Sequence, residues 1–365
     1  MAGIARVARN KHSNTGNYGN TMALPETIAD TAQLDELLSE PTPAVIETMR
    51  RLKGDMILLG VAGKMGPTLA RMAARASGAA GVERRIIGVA RFSTPGVREQ
   101  LEDWGVETIQ CDLLDPAALD TLPGAPNVVY MAGMKFGATG NESQTWAMNC
   151  FLPGMVSRKY AQSRIVAFST GNVYGLYPVA GGGAREEDPV NPDGEYAMSC
   201  LGRERIFEYF SRALGTPMAL IRLNYACEMR YGVLLDMARK VWAGETVDLA
   251  MGHLNAIWQG DANAMALQCF DHVSSPPFVI NVTGPETLPV REVCNALGGL
   301  LGTSPVLTGK EAADALLSDA SKSHGLFGKP RVAAPQLLTW TADWLQRGGE
   351  TLDKPTHFEV RDGKF

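Results

Sequence analysis

The sequence lacks the features that mark several classes of protein. Its 365 residues contain no apolar run long enough to span a bilayer, and the opening stretch MAGIARVARNKHSNTGNYGN has no apolar core of the kind a secretory signal needs. Basic residues are not in excess, since the formal net charge is −5. An acidic chain is a poor match for nucleic acid or an anionic membrane. We therefore expect neither as a partner.

Paired metal ligands and paired cysteines are also missing. Six cysteines are scattered without a CxxC pair, and five histidines are dispersed without ligand spacing. This pattern predicts no disulfide framework and no bound metal. Because most of the cysteines stand inside apolar runs, we expect buried, reduced thiols and a cytoplasmic protein.

What the chain does contain is an alternation of short apolar strands and amphipathic helices. Six runs read as buried strands, each followed by a helical pattern or a loop: DMILLGV, RRIIGVA, ETIQCD, APNVVYMAG, RIVAFST and PMALIRLN. This alternation predicts an α/β fold, a Rossmann-type doubly wound parallel sheet with a smaller mixed α/β C-terminal substrate lobe. Ligands of such sheets bind at the carboxyl ends of the strands.

The pattern divides the chain into four parts. Residues 1–24 read as a flexible tail, residues 25–53 as a helical lead-in, residues 54–225 as the dinucleotide-binding domain, and residues 226–365 as the smaller substrate lobe with the C-terminal tail. The apolar run FVINVTG is placed in the smaller lobe by this division.

A glycine motif, GVAGKMG, follows the first predicted strand and precedes a helix. Gly60, Gly63 and Gly66 allow a tight turn, and backbone N–H groups there can approach a pyrophosphate at the helix N-terminus. In this strand–turn–helix position the motif indicates dinucleotide binding, and Lys64 and Met65 inside it are predicted to contact the cofactor.

The end of the second strand bears on the choice between NAD and NADP. Ala90 stands where an acidic residue would accept hydrogen bonds from the adenosine ribose, and Arg91 follows it. An arginine suits a 2′-phosphate, with Ser93 and Thr94 as neighbouring donors. We predict NADP as the cofactor, with NAD possible.

Several motifs together resemble the extended short-chain dehydrogenase/reductase family, the NAD(P)-dependent sugar epimerase/dehydratase group. The resemblance covers about residues 55–300, and its landmarks are GVAGKMG, VVYMAG, FSTGNVYG, Tyr196 and the stretch RLNY. It implies that Thr170 and Tyr196 are catalytic and that the helices carrying Asn149 and Tyr196 form a homodimer. The cofactor contacts that it adds are Asp112, Leu113, Ala132 and Gly133.

One position departs from the family pattern. The family has a lysine that binds the nicotinamide ribose and lowers the tyrosine pKa, and this chain has Cys200 there. A thiol supplies no positive charge, and a helix-interior cysteine is more often packed than reactive. Lys135, in the loop after the fourth strand, and Arg203, one turn beyond Cys200, are the candidate replacements. We favour Lys135, acting with Tyr196 in proton transfer.

The resemblance and the residues support an NAD(P)-dependent oxidoreductase or epimerase-type enzyme that acts on a hydroxyl or keto group of a sugar. From their positions in the sequence, we predict that the substrate contacts Asn172, Asn224 and Arg230. For Arg230, a purely structural role is the alternative. The alternative function is an NAD(P)-binding redox sensor with little or no catalysis. The missing lysine favours this alternative.

Overall fold

The computed structural model describes residues 24–135 and 140–363. The flexible tail predicted for residues 1–24 lies outside the described residues, apart from Leu24. In the described part the strands are β1 (Met56–Leu59), β2 (Ile86–Ala90), β3 (Glu107–Gln110), β4 (Asn127–Tyr130), β5 (Arg164–Thr170), β6 (Tyr177–Pro178), β7 (Met218–Leu223), β8 (Ala226–Cys227), β9 (Thr246–Asp248), β10 (His253–Leu254), β11 (Ile257–Trp258), β12 (Phe278–Val282), β13 (Leu288–Pro289), β14 (Val306–Thr308) and β15 (Asp314–Ala315).

The α-helices alternate with these strands over the first half of the chain. They are α1 (Thr31–Leu38), α2 (Pro43–Arg51), α3 (Gly66–Ala79), α4 (Val97–Asp103), α5 (Pro116–Thr121), α6 (Glu142–Trp146), α7 (Leu152–Lys159), α8 (Gly194–Leu214), α9 (Val233–Ala243), α10 (Gln259–Gln268), α11 (Val290–Leu301), α12 (Ser321–Phe327) and α13 (Ala334–Gln346). A π-helical turn, Ala147–Phe151, joins α6 to α7. No helix of the described residues is long and apolar enough to cross a membrane.

Seven of the described strands form one parallel sheet in the order β12-β7-β5-β4-β1-β2-β3. Successive residues of β1 point to opposite faces, so Met56 and Leu58 enter one apolar core while Ile57 and Leu59 enter the other. Helices cover both faces, which explains why the strands are continuous apolar runs in the sequence. The predicted fold class, a doubly wound Rossmann-type sheet, is confirmed.

The last strand of the sheet corrects one expectation. The run FVINV, which the sequence pattern places in the smaller lobe, forms β12 and pairs with β7 from Phe278↔Ala219 to Val282↔Leu223. The chain therefore returns to the main sheet after building part of the second lobe. A single apolar run carries no information about which sheet it joins, because strand pairing is a long-range contact.

The lead-in helices belong to the two cores. Asp30 caps α1 and Thr42 caps α2, each accepting a hydrogen bond from a backbone N–H in the first turn of its helix. Val45 and Met49 of α2 pack in one of the two cores that flank the central sheet. Leu34 and Leu38 of α1 pack in the core of the second lobe. Residues 25–53 thus connect the two lobes.

Candidate functional site

A cavity of about 550 Å³ opens at the carboxyl edge of the sheet, between the sheet and the second lobe. It is lined by the turn after β1, the ends of β4 and β5, the first turn of α8 and several residues of the second lobe. This is the edge at which parallel α/β sheets bind their ligands. The predicted residues that line it are Gly63, Lys64, Met65, Gly133, Lys135, Thr170, Asn172, Tyr196, Asn224 and Arg230.

The glycine turn forms one wall, and two of its glycines are required by close backbone contacts. Gly60 has a positive φ of 91°, and a Cβ there would lie 2.7 Å from the backbone nitrogen of Ala132. A Cβ on Gly66 would lie 2.0 Å from the carbonyl oxygen of Val61. Gly63 faces the cavity instead, and its Cβ would meet nothing closer than 3.4 Å. The turn thereby places the N-terminus of the 14-residue helix α3 at the cavity.

This wall fits the pyrophosphate of a dinucleotide. The positive end of a helix dipole and exposed backbone N–H groups favour an anion. Lys64 lines the same wall, with its Nζ 3.2 Å from the ring centroid of Tyr231. Burial, together with the charges of Lys135 and Lys354, lowers the pKa of Lys64 to about 6, against the opposing charges of Asp236 and Glu228. A bound anion would favour the charged form of Lys64.

Of the residues predicted to contact the adenosine part, Thr94 lines the cavity and the others are not in its lining. Arg91 and Ser93 are exposed at the end of β2, whereas Thr94 lines the cavity. After β3, Asp112 accepts a hydrogen bond from the Leu114 N–H (3.1 Å), and Leu113 is buried in a core. Ala132 is buried against Gly60. Their roles toward a cofactor therefore stay predictions.

The two predicted catalytic hydroxyls come together on the opposite wall. Thr170 ends β5, and its Oγ1 accepts a hydrogen bond from the Asn172 N–H (3.2 Å). Tyr196 stands in the first turn of α8, and the Thr170 side chain is near enough to its hydroxyl to act against the rise in the Tyr196 pKa. Burial raises the pKa of Tyr196 far above its ordinary value, so at neutral pH it is a phenol that can donate a proton.

Cys200 lies one helical turn beyond Tyr196 and is fully buried. Its thiol accepts a long hydrogen bond from Asn149 Nδ2 (4.0 Å), and burial raises the thiol pKa. The cysteine therefore stays neutral and offers no charge that would lower the tyrosine pKa. Its low reactivity follows from the same burial.

Both candidate cations for the missing lysine are close to Tyr196. The Lys135 Nζ lies 5.7 Å from the Tyr196 ring centroid, and burial lowers the pKa of Lys135 to about 8. Arg203 is buried and its charge acts against the rise in the Tyr196 pKa. The Arg203 guanidinium donates to the Phe168 carbonyl (2.8 Å) and to Asn149 Oδ1. Arg203, which the sequence ranks second, is thus a cation that favours the ionised form of the phenol.

Asn149 organises this wall of the cavity. Its side-chain amide donates to the Met134 carbonyl (3.0 Å) and to Ser199 Oγ (2.9 Å), and its Oδ1 accepts from the Met134 N–H (3.0 Å). These bonds tie the loop after β4 to α8. Asn149 therefore holds the loop that carries Lys135 next to the helix that carries Tyr196.

The predicted substrate residues differ in how much of their polar surface is available. Asn172 and Asn224 both line the cavity, although Asn224 Nδ2 already donates to the Leu316 carbonyl (3.1 Å). The Arg230 guanidinium is held by Asp35 (2.9 Å) and by Glu228 (3.2 Å). Its charge is already paired with two buried carboxylates, and it joins α1 to the second lobe. The structural alternative for Arg230 fits these contacts better than a direct substrate contact.

Part of the cavity comes from segments in which the sequence shows no functional signal. Asp35 of α1 and Trp104 at the end of α4 line it, as do Leu352, Lys354 and Thr356 near the C-terminus. The C-terminal stretch reads as a polar tail because it has no periodic apolar pattern and no motif. Nothing local could have identified it, since its place is set by contacts with distant residues. No cluster of three or more metal-binding side chains occurs among the described residues.

Residues 56–227 match the sequence model of the NAD dependent epimerase/dehydratase family. No curated protein has a sequence that matches the chain significantly. The family match confirms the predicted resemblance to the NAD-dependent epimerase/dehydratase group.

Solved structures show the same fold. The chain is similar to UDP-glucose 4-epimerase of Thermus thermophilus in complex with NAD, with a TM-score of 0.66, 19% identity, and coverage of 80% of this chain and 99% of that one. It is similar to MoeE5 in complex with UDP-glucuronic acid and NAD, with a TM-score of 0.64, 19% identity, and coverage of 81% and 100%. It is also similar to UDP-glucuronic acid 4-epimerase from Bacillus cereus in complex with NAD, with a TM-score of 0.66, 16% identity, and coverage of 80% of this chain and 99% of that one. Over residues 56–227, the chain is thus similar in sequence to the NAD dependent epimerase/dehydratase family, and over most of its length it has the fold of these solved structures.

Proposed function

We propose that the protein is a nicotinamide-dinucleotide-dependent oxidoreductase of the epimerase type that acts on a hydroxyl or keto group of a sugar derivative. The observation that carries the proposal is that one cavity is lined by the glycine turn and by both Thr170 and Tyr196. When bound, the cofactor would supply or accept the hydride. The protein's part is to hold the substrate oxygen and to move its proton.

In this mechanism the Tyr196 hydroxyl gives a proton to the oxygen of a keto group as that carbon is reduced, and Thr170 orients the same oxygen. The reverse direction needs a base. In that direction the Tyr196 oxygen takes the substrate proton while the phenol proton passes to Lys135, whose amine is partly neutral near physiological pH because its pKa is about 8. The buried Arg203 stabilises negative charge that develops on the phenol oxygen.

The decisive test of the Lys135 role is the turnover of Lys135→Ala with a panel of sugar substrates, including UDP-glucose and UDP-glucuronic acid, followed by chromatography of the sugar products and by the absorbance of the reduced nicotinamide. We expect a loss of turnover with retained cofactor affinity. The matched control is Lys310→Ala, an exposed lysine outside the cavity. Unchanged turnover in Lys135→Ala on a substrate that the unmodified protein converts rejects the role.

The cofactor choice is part of the proposal. The absence of an acid at Ala90 and the exposed Arg91 beside the cavity support NADP, whereas three similar structures were solved with NAD. Titrating both cofactors against the unmodified protein and Arg91→Gln separates them. If NADP is the cofactor, Arg91→Gln weakens NADP binding and leaves NAD binding unchanged. Equal affinities for NADP in the two proteins contradict the proposed role of Arg91.

We further propose a homodimer in the cytoplasm. The support for the dimer is an exposed apolar face on the adjacent segments α6–α7 and α8, where Phe151 is 59% exposed, Met198 46% and Tyr209 63%. The cysteines are all free thiols, as a reducing compartment requires. Light scattering on the unmodified protein and on Phe151→Glu tests the dimer, since a charge at this face would favour the monomer.

The alternative function, a redox sensor, has one observation in its favour. The Tyr196 pKa is raised rather than lowered, and the side chain one turn beyond it is a neutral thiol. A sensor would bind oxidised and reduced cofactor with different affinities and convert neither. Turnover of any sugar in the panel excludes the sensor, whereas tight binding without turnover excludes the enzyme.

A further inference from the structure

The C-terminal segment 351–363 is fixed on the second lobe over its first part. The Thr356 N–H donates to the Asp236 carboxylate of α9 (2.7 Å), and the Thr356 hydroxyl donates to the same group. Phe358 follows and is 2% exposed in the core of the second lobe. The segment is therefore a packed part of this lobe before it continues toward α8.

Arg361 holds the later part of the segment. Its guanidinium donates to the Ala250 carbonyl (3.0 Å) and to the Asp314 carbonyl (3.0 Å), and it forms an ion pair with the Asp314 carboxylate. A planar guanidinium that binds several acceptors is held in one orientation, because each of these hydrogen bonds is directional. Arg361 thereby determines where the backbone that follows it lies.

Two residues after Arg361, the segment meets the beginning of α8. Gly194, the first residue of this helix, and Gly363 both have a positive φ, 76° and 69°. A Cβ on Gly194 would lie 2.7 Å from the Gly363 carbonyl carbon, and a Cβ on Gly363 would lie 2.7 Å from the Gly194 nitrogen. Neither position has room for a side chain, so the two backbones are in direct contact.

The same contact extends to the turn after β5. Asn172, in that turn, accepts a hydrogen bond from the Thr170 hydroxyl (3.1 Å). A cavity of only about 20 Å³, enough for one water, separates this turn from the segment and from α8. The residues that line this small cavity are Asn172, Gly175, Leu176, Asp193, Ala197, Leu316, Val360, Arg361 and Gly363.

The beginning of α8 has no side-chain cap of its own. The first N–H groups of a helix lack partners within the helix, and the N-cap residue commonly supplies one. Asp193 is at the N-cap position of α8, and its side chain makes no capping hydrogen bond. Tyr196 stands in this first turn, and uncapped helix ends fray. The contact with Gly363 therefore supports the turn that carries the phenol.

We propose that the C-terminal segment positions Tyr196 for proton transfer, with Arg361 as the positioning residue. This inference rests on the proposed function and adds a residue to it. Arg361 is not in the lining of the large cavity, so it acts through Gly363 and the first turn of α8. The segment also lies outside the residues that match the family.

A double-mutant cycle with the cofactor-saturated protein tests whether Arg361 acts through Tyr196. Arg361→Ala alone should lower kcat about tenfold and change KM by less than about twofold, because a misplaced proton donor weakens the transition state most. In Tyr196→Phe, which already lacks the donor, adding Arg361→Ala should lower kcat by less than about twofold. Arg361→Lys should recover part of the loss, since it restores the positive charge.

Two outcomes overturn the proposal. An equal fall of kcat in both backgrounds would show that Arg361 acts without Tyr196, and an unchanged kcat in Arg361→Ala would show that the anchor is not needed. Melting temperatures show whether each variant is folded. If Arg361→Ala does not fold, Arg361→Gln, which loses the charge and keeps a donor, takes its place in the cycle with the same criteria.

Arg347→Ala is the matched control. Arg347 makes the same kinds of contact on another side of the second lobe, since it pairs with Asp343 (2.7 Å) and donates to the carbonyls of Ala29 (2.9 Å) and Ile28. Its loss should lower the melting temperature and leave kcat unchanged. A kcat that falls as far in Arg347→Ala as in Arg361→Ala would mean that general destabilisation explains both, and it would overturn the positioning role.

Amide hydrogen exchange, measured by mass spectrometry, gives a second readout that needs no substrate. In Arg361→Ala, residues 193–199 should exchange at least about tenfold faster while residues 60–66 of the glycine turn are unchanged. Unchanged exchange in residues 193–199 overturns the proposal. If no sugar is converted but this region exchanges faster, the proposed function fails and the support of α8 by the segment stands. If sugars are converted and neither exchange nor kcat changes, the role of Arg361 fails and the proposed function stands.

Discussion

The two ends of the cavity are built in different ways. At the glycine end, one short continuous stretch from β1 to α3 provides the turn, and close backbone contacts determine its shape. At the hydroxyl end, Thr170, Tyr196 and Lys135 come from three different elements, and Lys354 comes from the far end of the chain. The shape of the glycine end depends on residues without a side chain. The properties of the hydroxyl end depend on which charged and hydroxyl-bearing side chains lie together. We therefore expect the two ends to respond to mutation differently.

Removing the phenol hydroxyl is expected to have the largest effect and to be confined to the catalytic end. Tyr196→Phe should lower turnover about 10²- to 10⁴-fold, because the proton donor is lost. Cofactor affinity should stay the same, since the glycine turn is on the opposite wall. Steady-state kinetics and cofactor fluorescence titration measure the two quantities.

Tyr209→Phe is the control for this variant, because Tyr209 is 63% exposed on α8 and lies outside the cavity. Full turnover in Tyr196→Phe would mean that the hydroxyl pair is not the proton path. A parallel loss of cofactor affinity would mean that the two ends are not independent.

The glycine end can be separated into two roles by adding one methyl group. Gly66→Ala should destabilise the protein by about 1–3 kcal/mol, the usual cost of overpacking, because the Val61 carbonyl occupies the space. Gly63→Ala should leave stability unchanged and weaken cofactor binding, since its methyl group would project into the cavity. Thermal unfolding and cofactor titration give the two results. If Gly63→Ala changes neither quantity, the turn does not hold the cofactor.

The pH dependence of kcat/KM for sugar oxidation tests the role of Lys135 as a base. Burial lowers the pKa of Lys135 to about 8, so its amine is charged below this pH and neutral above it. Since a base must be neutral to accept a proton, kcat/KM should rise with pH and level off above about pH 8. Lys135→Gln should remove this limb of the profile. A profile that keeps the same limb assigns it to another group.

Cofactor binding should take up a proton at the glycine end. With a pKa of about 6 in the empty protein, Lys64 is mostly neutral at pH 8. A nearby pyrophosphate favours the charged amine and raises this pKa, so binding at pH 8 should take up as much as about one proton. Calorimetry in buffers of different ionisation enthalpy measures the uptake. It should vanish in Lys64→Met, and an undiminished uptake in that variant would exclude Lys64 as the source.

Removing the thiol should have the smallest effect. Cys200→Ala is expected to change turnover by no more than about twofold, because a neutral, packed thiol neither carries charge nor attacks substrate. Its cost should instead be in stability, about 1 kcal/mol for the small cavity that is left. A large loss of turnover would show that Cys200 takes part in the chemistry.

The sequence by itself determined the doubly wound fold, the glycine turn and the hydroxyl pair. Each of these depends on local patterns: apolar runs of strand length, glycines at fixed spacing, and motifs that follow the strands in order. Only the tertiary structure decided that β12 joins the main sheet, that Arg230 pairs with Asp35 and Glu228, and that Lys354 reaches the cavity. These features are contacts between residues far apart in the chain. They form only when burial of the two cores brings those segments together, so no local pattern records them.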